Sequence, residues 1–112
     1  MRVGLLPAVL DLDLYVGDGF GLEFSFVDKD SGDPYPLTGT FSAQVRHLDE
    51  LVTAFSIDTT DAATGVLTLG LTPVQTELIV SGSVWDLQQT PTVGVVRTWY
   101  RGTIRMFGDV TS

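Results

Sequence analysis

From Phe20 to Phe26 apolar and polar positions alternate: Phe20, Leu22, Phe24 and Phe26 share one parity, and Gly21, Glu23 and Ser25 take the other. A period of two is the signature of a strand with one buried face. Phe41, Ala43 and Val45 against Thr40, Ser42, Gln44 and Arg46 repeat it, and the intervening DKDSGDPYP, Asp28 to Pro36, is dense in turn formers. The stretch 16–46 therefore predicts a β-hairpin or two sequential strands, each with a core face and a face open to water or a partner.

The rest of the chain extends the pattern. Asp11 to Val16 aligns Leu12, Leu14 and Val16, predicting a first strand behind an apolar arm, Met1 to Leu10. Leu51, Thr53, Phe55 and Ile57 predict one strand, and after a polar connection ending at Gly65, Leu67, Leu69 and Leu71 predict the next. The period then changes. Thr72-Pro73-Val74-Gln75 has an N-cap threonine, proline at the first helical position and glutamine at the third, a capping-box pattern. It predicts one or two helical turns from Pro73 to about Val80, closed by Ser81-Gly82. Ser83 to Gln89 returns to alternation, with Val84 opposed to Trp85 and Leu87. The run Val93 to Phe107 is too long for one ordinary strand, so a bulge or bend is expected at Gly102. The fold class expected is all-β: an antiparallel β-sandwich of about seven or eight strands with one short helical turn.

A length of 112 residues leaves room for one domain, read as an N-terminal arm over 1–10 and a single sandwich over 11–112. The twelve glycines and the scarcity of helix formers suit short strands and turns. The absence of cysteine excludes disulfides, thiolate catalysis and cysteine-ligated zinc. Fourteen acidic against six basic residues give a formal charge of −8, which repels a phosphate backbone, so no nucleic-acid partner is expected. The apolar start, broken by Pro7 and followed by Asp11 and Asp13, is too short to span a bilayer, so no membrane partner is expected.

Reaction chemistry is thin. His47 is the only histidine and has no local orienting group, and the carboxylates are scattered over turns. Asp28, Asp30 and Asp33 match a calcium loop in neither glycine placement nor distal glutamate. Gly17-Asp18-Gly19 opens a strand rather than a helix, so it lacks the N-terminus that binds phosphate. No enzymatic activity and no cofactor are expected. Two contact surfaces stand out instead. Leu5, Leu6, Val9 and Leu10 of the arm are costly to leave wet, and either pack on their own domain or dock on a neighbouring subunit. Arg97, Arg101 and Arg105 share a parity with Trp99, a basic stripe beside an aromatic on an acidic protein. Such a stripe either pairs locally with strand carboxylates or meets an acidic patch on another subunit.

The order of motifs also carries a resemblance. GD before an alternating strand, an acidic-glycine turn followed by Pro36-Leu37-Thr38-Gly39, a strand ending in Gln44-Val45-Arg46, the Thr72-Pro73 turn, Trp85-Asp86-Leu87, and Arg101-Gly102 before a terminal Asp109-Val110-Thr111 span nearly the whole chain from Asp11. This arrangement resembles the small β-sandwich domains of bacteriophage virion proteins, of the lower-tail-fibre and minor-tail-protein type in phages of actinobacteria. The resemblance implies a non-enzymatic structural subunit located in the virion, a tail, tail-fibre or connector component, homo-oligomeric in the assembly and in contact with other virion proteins. It carries over no catalytic residues. A capsid decoration protein is the alternative within that class. Outside it stands a carbohydrate-binding module, in which Trp99, Tyr100 or Tyr35 would stack on sugars.

Overall fold

The alternating segments form strands whose apolar parities face one another across two sheets. The computed structural model describes residues 7–27 and 30–108; Leu5, Leu6 and Asp28 lie outside the described residues. In chain order the strands are β1 (Ala8–Val9), β2 (Leu12–Tyr15), β3 (Phe20–Ser25), β4 (Thr40–His47), β5 (Glu50–Ala54), β6 (Ser56–Asp58), β7 (Val66–Leu71), β8 (Ser83–Thr90) and β9 (Arg97–Phe107), with one helix, α1 (Pro73–Leu78), and a 3-10 turn at Ala62–Thr64. The larger sheet has the order β1-β9-β8-β4-β5, with β2 also on β9; the smaller is β3-β7-β6. The molecule is an all-β sandwich.

Its core follows the parities read from the sequence. Phe24, Leu67, Leu69 and Leu71 from the small sheet meet Ala43, Val45, Trp85, Leu87 and Ile104 from the large one, all of them buried. Trp85 lies at the centre, its ring 6.5 Å from Phe24 in a stacked arrangement and 5.6 Å from Phe55. Burying a side chain of this size contributes about 1.5–3 kcal/mol, and truncating Phe24 to alanine costs about 3–5 kcal/mol.

Four details differ from the sequence reading, each for a local reason. The two alternating runs of 16–46 are sequential strands but not a hairpin: β3 pairs with β7 in the small sheet and β4 with β5 and β8 in the large one. Their inner faces meet across the core instead of their edges. The expected strand Leu51 to Ile57 divides at Phe55. There the chain passes from the large sheet to the small, with Phe55 buried between them and its amide donating to the Ala43 carbonyl at 2.9 Å. A bulge precedes the crossing, because Val45 pairs with Thr53 and Arg46 with Leu51, leaving Val52 as the extra residue. Val52 packs on the core and Leu51 is turned outward, 54% exposed. Pairing is antiparallel except at the N-terminus, where β1 and β2 run parallel to β9.

The fourth difference concerns β9. Leu87 pairs with Tyr100 and Gln88 with Thr98, so the bulge falls at Trp99 and not at Gly102. The glycine serves a different need. The Leu10 carbonyl crosses directly above it, and a Cβ at Gly102 would lie 1.9 Å from that oxygen. The same carbonyl accepts a 2.8 Å hydrogen bond from the Trp85 indole Nε1. Residues 7–10 are thereby fastened to their own domain, with Leu10 packed against the core.

The helix forms as its cap foretells. The Thr72 hydroxyl accepts from the Gln75 amide at 3.2 Å, and the Gln75 carboxamide oxygen accepts from the Thr72 amide at 2.8 Å. Gln75 also donates to the Ala54 carbonyl and the Thr53 hydroxyl, covering the edge of β5, a strand edge otherwise open to pairing with another chain. Thr76, fully buried, accepts from the Gly17 amide at 3.0 Å and fixes α1 to the β2–β3 turn.

Candidate functional site

The large sheet gathers the described basic side chains of an otherwise acidic chain. Among the described residues the basic side chains are Arg46 on β4 and Arg97, Arg101 and Arg105 on β9, all on this sheet. Alternation explains why three of them face outward: Arg46 follows the buried Val45, and Arg101 and Arg105 bracket Gly102 and the buried Ile104, whereas Arg97 lies before the bulge and opposite the buried Gln89, on the other parity.

Between these strands lies an open groove of about 870 Å³. Its floor is a cross-strand row, Gln44 opposite Asp86 and Asp86 opposite Arg101, followed by a second row, Arg46 opposite Val84 and Val84 opposite Thr103. The arm bounds one side through Pro7, Val9 and Asp11, and the loop entering β9 contributes Val95 and Val96. Val9 is 68% exposed and Val95 83% exposed, so the rim is both apolar and wet. The lining thus combines guanidinium groups with valines and with the Asp11 and Asp86 carboxylates.

Charge in the groove is only partly compensated. Asp86 is half-buried in its floor, and desolvation raises its pKa above the ordinary carboxylate value; nearby Arg46 and a hydrogen bond from the Gln44 backbone oppose the shift without cancelling it. The Arg46 Nη2 donates to the Gln44 carboxamide oxygen rather than to a carboxylate. The Asp11 carboxylate is engaged by the Thr103 amide and hydroxyl at 2.9 and 3.2 Å. Arg101 forms no ion pair among the described residues, where the single salt bridge joins Arg105 to Asp13 at 3.2 Å.

The sequence-derived contact residues separate into distinct environments. Val9 and Arg101 line the groove. Leu10 is partly buried and packs against its own core. Trp99 leaves the stripe because the bulge turns it inward with Tyr100: its ring centroid is 4.8 Å from Phe26 and its Nε1 donates to Gln89 at 2.9 Å. Arg97 lines the groove while its guanidinium carbon sits 3.6 Å from the centroid of the Trp99 ring, a cation–π contact beside an Nε that is buried without a hydrogen-bond partner. Arg105 is outside the groove, held by Asp13 and lying over Phe107 at 5.3 Å.

Arg46, Asp86, Gln44 and Val84 were not singled out by the sequence reading. Their signal was present as the polar parity of β4 and β8, but only the pairing of those strands with β9 brings them beside Arg101. His47 ends β4 opposite Glu50, and among the described residues no three acidic or histidine side chains are grouped to hold a metal. Of the aromatic rings considered for sugar stacking, Tyr100 lies 4.6 Å from Phe24, and Tyr35, still exposed, meets Trp99 edge-on at 6.0 Å.

Comparison with known protein families finds no matching family model, and comparison with curated proteins finds no significant match.

Proposed function

We propose that this chain is a non-enzymatic structural subunit of a bacteriophage particle, in its tail, tail fibre or connector, working through protein–protein contacts. The observation that carries the contact reading is the groove across β4, β8 and β9. It gathers Arg46, Arg97 and Arg101 with exposed valines on a protein of net charge −8, and it offers an acidic, apolar segment both countercharge and burial. The particle assignment rests on the resemblance of the motif order from Asp11 onward to virion β-sandwich domains. Contact through a preformed sheet face suits such a role, because a rigid sandwich loses little conformational freedom on docking.

Mass spectrometry of purified particles of the phage that encodes the chain tests the assignment. The chain is expected at a fixed stoichiometry to the major structural proteins after density-gradient purification. Its absence from particles overturns the virion reading. Immunogold labelling then separates the two locations: label on the tail supports this proposal, and label over the shell would make the chain a capsid decoration protein.

A further inference from the structure

The groove has a counterpart on the same molecule. At the tip joining β4 to β5, His47 pairs with Glu50 and the two residues between them form the loop. Both have positive φ, 52° at Leu48 and 69° at Asp49, the backbone of a type I′ turn. Asparagine and glycine are the residues such a turn favours, and a leucine there is uncommon. Leu48 is nevertheless 85% exposed, and Leu51, turned outward by the Val52 bulge, is exposed beside it. The tip therefore presents two leucines around two carboxylates, Asp49 and Glu50. Groove and tip are complementary: arginines and valines on one, carboxylates and leucines on the other.

We propose that the β4–β5 tip of a second copy of this chain occupies the groove, with its Asp49 and Glu50 against Arg46 and Arg101 and its leucines against the valines of the rim. Charge complementarity selects this occupant. The long-range repulsion of two chains of charge −8 is opposed only where a basic surface meets an acidic one, and the groove brings Arg46 of β4 beside Arg101 of β9 while the tip carries Asp49 and Glu50. A two-fold rotation that sets each tip into the other copy's groove makes the product a closed, isologous dimer. A role for Leu48 in this contact accounts for an apolar residue in a conformation that disfavours it. The inference rests on the reading that this chain works by protein contacts, but it needs only the purified chain.

Analytical ultracentrifugation across a concentration series tests it. The parent chain is expected to pass from monomer to dimer, with a midpoint that rises with salt as the charge contacts are screened. Glu50→Arg and Arg101→Glu are each expected to weaken the dimer at least tenfold, and the chain carrying both to recover most of the loss. Leu48→Asn serves as the variant that cannot be dismissed as misfolded: it is expected to raise the melting temperature of the monomer while weakening the dimer. A chain that stays monomeric at millimolar concentration overturns the proposal, as does an assembly that none of the variants weakens. Saturable binding of an acidic, leucine-bearing peptide to a persistent monomer would give the groove to a foreign segment and also overturn it. A monomer that is still incorporated into particles would remove this inference and leave the structural role standing.

Discussion

Gly102 and Trp85 act together on the arm, one by omission and the other by donation. A methyl group at Gly102 would collide with the Leu10 carbonyl, so Gly102→Ala is expected to lower stability by about 1–3 kcal/mol or more as β9 and the arm move apart. Trp85→Phe removes the indole bond to the same carbonyl and also part of a fully buried ring system, so its loss combines about 1 kcal/mol for the hydrogen bond with the cost of the cavity left behind. Chemical denaturation checks both, and an unchanged stability in either variant would contradict the role given to that residue. Leu48→Asn relieves the unfavourable φ and is expected to stabilise the chain by about 1 kcal/mol.

Asp86 gives the groove a pH dependence. Burial raises its folded-state pKa above the ordinary 3.8, so the carboxylate is the costlier form in the folded state. The cost is absent below the ordinary value and fully present above the raised one, so stability falls as pH climbs through that window. Asp86→Asn removes the cost. It is expected to melt higher than the parent near neutral pH and to lose that advantage below the ordinary carboxylate range, as thermal melts across pH would register. Asp58 behaves in the opposite sense: hydrogen bonds from Thr60 lower its pKa, so its contribution is present above the ordinary value and lost as pH falls through the lowered one.

Elements were the most legible scale in the sequence, and the reasons for success and failure are both local. The capping box of α1 is a short-range device, four consecutive residues that satisfy one another's backbone groups, and it was readable because nothing distant enters it. Thr72→Ala is expected to cost about 1 kcal/mol in a denaturation experiment. It also loosens Gln75 from the β5 edge, which hydrogen exchange at Thr53 and Ala54 would register. The strand parities of β3, β4, β7 and β8 were readable for the same reason, since alternation is a property of neighbours. Bulges were not. Val52 and Trp99 are extra residues only relative to the partner strand, and a partner is a tertiary fact. Gly102 looked like the irregular position because glycine weakens strands, whereas its role is to admit a second backbone, which no pattern within β9 reveals.

At the scale of the whole molecule the same distinction separates what was seen of the site from what was missed. The arginines of β9 and the apolar arm were visible as surfaces in want of a partner. Their combination into one groove required the parallel docking of residues 8–15 on β9 and the placement of β8 and β4 alongside. Trp99 leaves the stripe of Arg101 and Arg105 and packs partly buried beside Arg97, because one inserted residue reverses the face of everything on one side of it. The result is an acidic sandwich whose described basic side chains all lie on the larger sheet, with a groove where Arg101 has no ion pair among the described residues and valines are exposed.

Cryo-electron microscopy of the intact particle shows whether this face of the large sheet is where the protein meets its neighbours. The expected map has density for the sandwich with the groove between β4, β8 and β9 filled by another protein chain, carboxylates set against Arg46 and Arg101. A sandwich located in the particle with that groove open to solvent in every copy would contradict it.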